Sequence, residues 1–227
     1  MQAVRAPKFA RMMNLANGFR LYPGRLDRAA QEELVEAIFA AAESAPFYTP
    51  LMPRSGAPMS VAQTNLGALG WCTDKAQGYR YESTHPRTGK PWPAMPKMLL
   101  DLWDELALYD APPESCLVNR YVGAARMGLH VDADEQAVEA PVVSVSLGDS
   151  AVFRLGGPTR KAPSQALTLK SGDVIVLAGA ARKFYHGIDR IVPGSSRLVP
   201  GGGRINLTLR RVTIPGMDAA TATNPKP

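Results

Sequence analysis

Histidine is scarce in this chain, with three in 227 residues, and cysteine is scarcer, with two. A pair as sparse as Cys72 and Cys116 makes no disulfide framework and points to reduced thiols in a cytosol; Cys116, in "CLVNRYV", reads as a core strand residue. No apolar run approaches the ~20 residues that a membrane-spanning helix needs, so no membrane partner is expected. Acidic residues are missing from the start of the chain. The first is Asp27, after Arg5, Lys8, Arg11 and Arg20. That opening has no apolar signal core and no clear cleavage pattern, so residues 1–17 read as a flexible basic arm and a cytoplasmic location is the expectation. Across the chain, 26 Lys and Arg stand against 20 Asp and Glu, a net charge of +6. Such an excess favours a polyanionic partner such as nucleic acid, because phosphate contacts supply much of the affinity.

What is present suffices for a buried core: 45% of residues are hydrophobic and 20% charged. One domain over 18–214 is expected, followed by a small, polar, disordered tail over 215–227. "GFRLYPG" (18–24) reads as a short strand. The next segment spaces Ala30, Leu34, Ala37, Ile38 and Ala41 helically behind Asp27 as N-cap, which predicts a helix over 28–44. A stretch rich in proline, glycine and aromatics follows, about 46–96. In it "GWCTDKAQGYRYE" (70–82) suits a hairpin, and "HPRTGKPWPAMP" has too many prolines for regular structure. "PKMLLDLWDELALY" is helical again, with Leu99, Leu102, Trp103 and Leu106 on one face. From about 114 to 212 the texture is short strands set apart by Gly, Pro, Ser and Asp, with "KSGD" (170–173) as a tight hairpin turn. Strands without intervening helices predict a jelly-roll or barrel, hence an α+β, mainly β, fold class.

The stretch "GLHVDADE" (128–135) spends one of the three histidines beside three acids. On a strand, side chains two apart share a face, so His130 and Asp132 offer an imidazole and a carboxylate to one ion. A third ligand must come from elsewhere. His85 sits before a proline in an irregular loop and reads as a surface residue; His186, at a strand-like end in "FYHGI", is the better choice. Two histidines and a carboxylate suit non-haem Fe(II), but zinc hydrolases use the same set, and the trio alone does not choose between them. "RINLTLRR" adds a second feature. Its alternation puts Arg204, Asn206, Thr208 and Arg210 on one face and Ile205, Leu207 and Leu209 on the other. Two guanidiniums along one strand suit a small dicarboxylate.

In order along the chain, "CLVNRY…GLHVDADE…APVVSVSLG…FYHGI…RINLTLR" resembles the AlkB-type dealkylases, Fe(II)- and 2-oxoglutarate-dependent dioxygenases of bacterial alkylation repair. "LGW…QGYRY…KPWPAMP" resembles the segment that lies over their substrate base. The resemblance runs from about 18 to 212. It implies a double-stranded β-helix core with a nucleotide-recognition lid ahead of it. It makes His130, Asp132 and His186 the iron ligands. Asn119, Tyr121, Arg204, Asn206 and Arg210 become 2-oxoglutarate contacts, with Arg204 on the distal carboxylate, helped by Tyr121, and Arg210 near the chelating end. Trp71 and Tyr79 become lid aromatics and Asp134 a contact to the damaged base, while Glu135 is expected as a solvated loop carboxylate. The implied reaction is oxidative dealkylation of bases such as 1-methyladenine and 3-methylcytosine. 2-Oxoglutarate and O2 become succinate and CO2, and the N-methyl group leaves as formaldehyde. The implied partner of this monomer is alkylated DNA, single-stranded above all, with duplex DNA or RNA as further candidates.

Two departures touch the base pocket. The interval from Trp71 to Tyr79 is one residue longer than the resemblance suggests, which makes Tyr81 a rival to Tyr79, and Gln63 stands where methionine is expected. Arg87, Lys90, Lys97, Arg126, Arg160 and Lys161 are candidates for phosphate contacts; Met95, Met98 and Met127 read as core fillers. Two other readings fit part of these features. One is a 2-oxoglutarate oxygenase acting on protein or a small molecule; the other is a non-catalytic, nucleic-acid-binding β-barrel.

Overall fold

The computed structural model describes residues 11–216. Helix α1 (Arg28–Ser44) starts where Asp27 caps it, its carboxylate accepting from the Ala30 N–H at 2.9 Å. Helix α2 (Lys97–Leu106) follows Pro96, which stands at the N-cap and not inside the first turn. Neither helix is long and apolar enough to cross a membrane.

The strands are β1 (Met13–Asn14), β2 (Phe19–Tyr22), β3 (Ala62–Gly67), β4 (Gly70–Asp74), β5 (Gly78–Glu82), β6 (Ser115–Tyr121), β7 (Met127–His130), β8 (Val142–Gly148), β9 (Ser150–Leu155), β10 (Gln165–Leu169), β11 (Val174–Leu177), β12 (His186–Val192) and β13 (Arg204–Arg210). All pairings are antiparallel. A major sheet runs β1-β2-β11-β8-β13-β6-β3 and a minor sheet β10-β9-β12-β7, with β4-β5 as a separate hairpin. From β6 onward the chain shuttles between the two sheets, which is the jelly-roll expected. Three details differ from the sequence reading. Met13–Asn14 pairs with β2, so the end of the segment read as a free arm is tied to the sheet edge, while residues 1–10 and 217–227 lie outside the described residues. The 170–173 turn forms around Gly172, but it carries the chain from the minor sheet to the major one and closes no hairpin. And β3 gives no strand signal in its sequence, because Gln63, Thr64 and Asn65 are polar yet buried.

The outer face of the major sheet packs on both helices, with Ile205, Leu207 and Leu209 against the cluster of Leu34, Ile38, Leu99 and Trp103; Cys116 belongs to the same core. Met95 and Met98 fill its margins, and Met127 does so on the minor-sheet side. The inner face is different in kind. Register places Gln63, Asn119, Asn206 and Ser146 in one row across β3, β6, β13 and β8. One register step along, Tyr121 stands beside Arg204. The sheet is therefore apolar toward the helices, while its inner face is polar along this row and apolar along β2 and β11, where Phe19, Leu21, Ile175 and Leu177 pack against Phe153 and Ile188 of the minor sheet.

Candidate active site

A cavity of about 780 Å³ opens between the two sheets, with Arg204, Asn206, Thr208 and Arg210 from β13 on its wall, Asn119 and Tyr121 from β6, and Trp71, Tyr79, His130, Asp132, Asp134 and His186 around it. The structure thus brings every sequence-predicted site residue to one cavity.

The three metal candidates offer donor atoms that all lie within 4.8 Å of one another. His130 ends β7 and His186 begins β12, where they are register partners. Close strand approach makes this possible: a Cβ on Gly187 would meet the Met127 carbonyl oxygen at 2.6 Å. Asp132 joins the group, as the two-residue spacing suggests, but from just past the end of β7, where residues 131–135 belong to no strand. His130 Nδ1 lies 2.9 Å from the Gly128 carbonyl and His186 Nδ1 3.2 Å from that of Phe184. A carbonyl only accepts, so each Nδ1 donates to the main chain and each Nε2 is the atom turned toward a metal. Those Nε2 atoms face the two oxygens of Asp132 at 3.6 and 3.8 Å. Three donors gathered in this way would hold one metal ion between them.

The electrostatics agree with metal binding. Burial would raise the Asp132 carboxyl, but the Arg210 guanidinium, 3.1 Å away, and the two imidazoles outweigh it and hold the group ionised well below the usual range. Burial first, and His130 second, push His186 down from 6.5 to about 4, against the pull of Asp132. The unfolded chain therefore protonates His186 near pH 6.5 and the folded chain only near pH 4. This group adds stability above pH 6.5 that is lost as the pH falls toward 4. The metal-free protein should lose on the order of 3 kcal/mol by this route, read as a falling urea midpoint over that interval. A flat midpoint would count against a neutral, buried His186.

Arg204 is 1% exposed. Its Nη2 donates to Ser146 Oγ at 3.0 Å and its guanidinium lies 5.3 Å from the centre of the Tyr121 ring. Nε and Nη1 have no hydrogen-bond partner, and no carboxylate among the described residues pairs with it. A buried cation left in this state fits a carboxylate ligand. Arg210 differs in being ion-paired, with Asp132 at 3.1 Å and Glu135 at 3.4 Å, although its own Nε and Nη1 also make no hydrogen bond.

In the lid, Trp71 and Tyr79 stack on each other, 5.5 Å between centroids and 25° between planes. Trp71 Nε1 donates to Asp134 at 2.9 Å. The main chain of Trp71 is held from β3: its carbonyl accepts from Gln63 Nε2 at 3.0 Å and Asn65 Nδ2 at 3.2 Å, and its N–H donates to Asn65 Oδ1 at 3.1 Å. Tyr81 is no stacking rival. Its ring is buried and its hydroxyl donates to Glu135 at 2.5 Å.

Two expectations are overturned. Glu135 is not a solvated carboxylate: it is 5% exposed, bonded by Tyr81 and Arg182 and faced by Arg210. His85 is not a surface residue but 0% exposed. The "HPRTG" turn folds over its ring, with the Arg87 and Thr88 N–H groups donating to Nδ1 and Nε2 donating to the Pro46 carbonyl. Of the six basic candidates, all exposed, Arg126 and Arg160 line the cavity, whereas Lys97 is paired with Asp101 on α2. Arg182, buried beside the site, has a single sequence signal, its place four residues before His186.

The 2OG-Fe(II) oxygenase superfamily matches residues 18–210. An alpha-ketoglutarate-dependent dioxygenase AlkB homolog of Caulobacter vibrioides is 58% identical over 202 residues, 89% of this chain and 91% of that one. The alpha-ketoglutarate-dependent dioxygenase AlkB of Escherichia coli is 44% identical over 80% of this chain and 85% of its own. The solved structure of OsALKBH1 superposes with a TM-score of 0.72 at 28% identity, covering 88% of this chain and all of that one.

Proposed function

The chain belongs to the 2OG-Fe(II) oxygenase superfamily, as an AlkB-type dioxygenase that uses Fe(II), 2-oxoglutarate and O2, and from that premise we propose that it removes alkyl groups oxidatively from the bases of nucleic acid. The observation that carries the proposal is the position of an aromatic lid, Trp71 on Tyr79, at the mouth of the same cavity that holds His130, Asp132 and His186. An oxygenase of protein or of a non-aromatic small molecule would give that pair no base to stack on. The substrates proposed are 1-methyladenine and 3-methylcytosine in DNA, mainly single-stranded. Bases methylated at those ring nitrogens are cationic and unable to pair normally, so a carboxylate attracts them and their extrusion is cheap.

His130, Asp132 and His186 would hold the iron, and Arg204 the distal carboxylate of 2-oxoglutarate, with Tyr121, Asn119 and Asn206 around it. Fe(II) with 2-oxoglutarate and O2 supplies the oxidising power when bound. The protein's part is to bind and to exclude. Arg210 keeps Asp132 ionised. The polar inner face of the major sheet satisfies a charged cosubstrate, and the lid aromatics hold the base against it. Asp134, already the acceptor of the Trp71 indole N–H, would share its second oxygen with the cationic base. Arg126 and Arg160, at the cavity, are placed to meet backbone phosphates.

Incubation of the Fe(II)-loaded protein with 2-oxoglutarate and an oligonucleotide carrying one 1-methyladenine should release formaldehyde and succinate in equal amounts and leave adenine. Succinate without formaldehyde would sink the dealkylation reading while sparing the oxygenase. Trp71→Ala removes a stacking surface worth about 1–3 kcal/mol per base. It should raise KM for the oligonucleotide some 5- to 150-fold, by about that energy, and leave KM for 2-oxoglutarate alone.

A further inference from the structure

The ladder between β7 and β12 ends at the pair His130 and His186, so Asp132 stands beyond it. What holds it lies fifty residues on, in the short 3-10 turn Gly179–Lys183 that leads to His186. There Arg182, buried, divides its guanidinium three ways. Nη1 donates to the main-chain carbonyl of Asp132 at 3.1 Å, Nη2 to Glu135 Oε2 at 3.1 Å, and Nε to the Ala140 carbonyl at 2.8 Å. The other oxygen of Glu135 accepts from Tyr81 and faces Arg210 Nε at 3.4 Å. Arg210 in turn holds the Asp132 carboxylate.

We infer that Arg182 is a positioning residue of the metal centre, clamping the irregular segment that carries Asp132 onto the turn that leads into His186, with Glu135 as its countercharge. The inference rests on the trio as the metal site. Three acceptors at residues 132, 135 and 140 match the planar, fixed fork of a guanidinium and no other side chain. Fold stability is a poor reason for such an arrangement, since an apolar pair of similar volume often serves a core as well as a buried ion pair does. Position is a better one. The segment carries a ligand whose two oxygens must face two imidazoles from other elements, and one side chain fixes it at three points.

The test is Co(II) binding to the metal-free protein without 2-oxoglutarate, followed by the visible bands of the bound ion, so that no turnover is read. His130→Ala serves as the control for the trio. Arg182→Lys keeps a charge beside Glu135 but cannot reach all three acceptors. The double variant Arg182→Met, Glu135→Gln removes the pair together and leaves no lone buried charge. Both should bind Co(II) about 10- to 100-fold more weakly, with shifted bands, while the Tm of the metal-free double variant stays near that of the parent. Affinities within twofold of the parent and unchanged bands in both would overturn the clamp. If the parent binds Co(II) no better than His130→Ala, the trio itself is wrong and the clamp falls with it.

Discussion

His130→Ala and Asp132→Ala should both abolish turnover, by a thousandfold or more, and yet differ sharply in what they do to the fold. The loss of activity has one cause in the two variants: two donors remain of three, and an ion held by two leaves the cosubstrate without its anchor. Stability separates them. The His130 side chain is 37% exposed and meets His186 and Asp132 without being the main partner of either, so its removal should shift Tm by no more than a few degrees. Asp132 is the near partner of Arg210. Its removal leaves that buried guanidinium with Glu135 alone, and breaking a buried pair from one side costs about 3–5 kcal/mol. Chemical denaturation of the metal-free variants, alongside formaldehyde release, makes the comparison. Residual turnover above one part in a hundred in either variant would refute the assignment of that ligand.

Arg204→Met should lose the cosubstrate and gain stability. Arg204 has the Ser146 hydroxyl as acceptor, the Tyr121 ring and hydroxyl beside it and no carboxylate among the described residues, and burial weakens its hold on its own proton. A cation in that position opposes folding until a carboxylate arrives. Methionine fills similar volume without the charge, so the metal-free variant should melt higher than the parent. A hydrogen-bonded charge pair lost from one side costs about 2–5 kcal/mol of binding. KM for 2-oxoglutarate should therefore rise at least about thirtyfold, and by roughly four thousandfold at the upper end. The two measurements oppose each other by design: a variant that binds 2-oxoglutarate as before, or that melts lower, would show that Arg204 supports the fold and not the ligand.

The parts of the molecule visible in its sequence are those where apolar spacing reports a face. Helix α1 appears at its expected bounds because Leu34 and Ile38 recur behind a capping aspartate. Strand β13 alternates cleanly because one of its faces meets the helices and the other the cavity. The same logic fails where both faces are buried and one is polar. Strand β3 carries Gln63, Thr64 and Asn65 into the interior, and no hydrophobic period announces it. It fails again for charge. Glu135 and Arg182 look like surface residues in sequence, and only their meeting across 47 positions makes burial tolerable. The metal trio is legible as residue types, and His130 and Asp132 do converge, although the hydrogen-bonded strand stops at His130 and the sequence does not show what holds Asp132 beyond it. His85 looks exposed in sequence and is buried, because a proline-rich turn can bury a ring by wrapping its own N–H groups around it.

Strand β3 holds residue 71 by the carbonyl and N–H, and leaves the indole out of the bargain. A fixture of that kind is indifferent to what it carries. Another ring, or an aliphatic group, set at this point would hang from the same two amides at the same angle to the mouth of the cavity. Preference for one damaged base over another can then drift by exchange of a single tip, with the oxidising apparatus beneath it undisturbed.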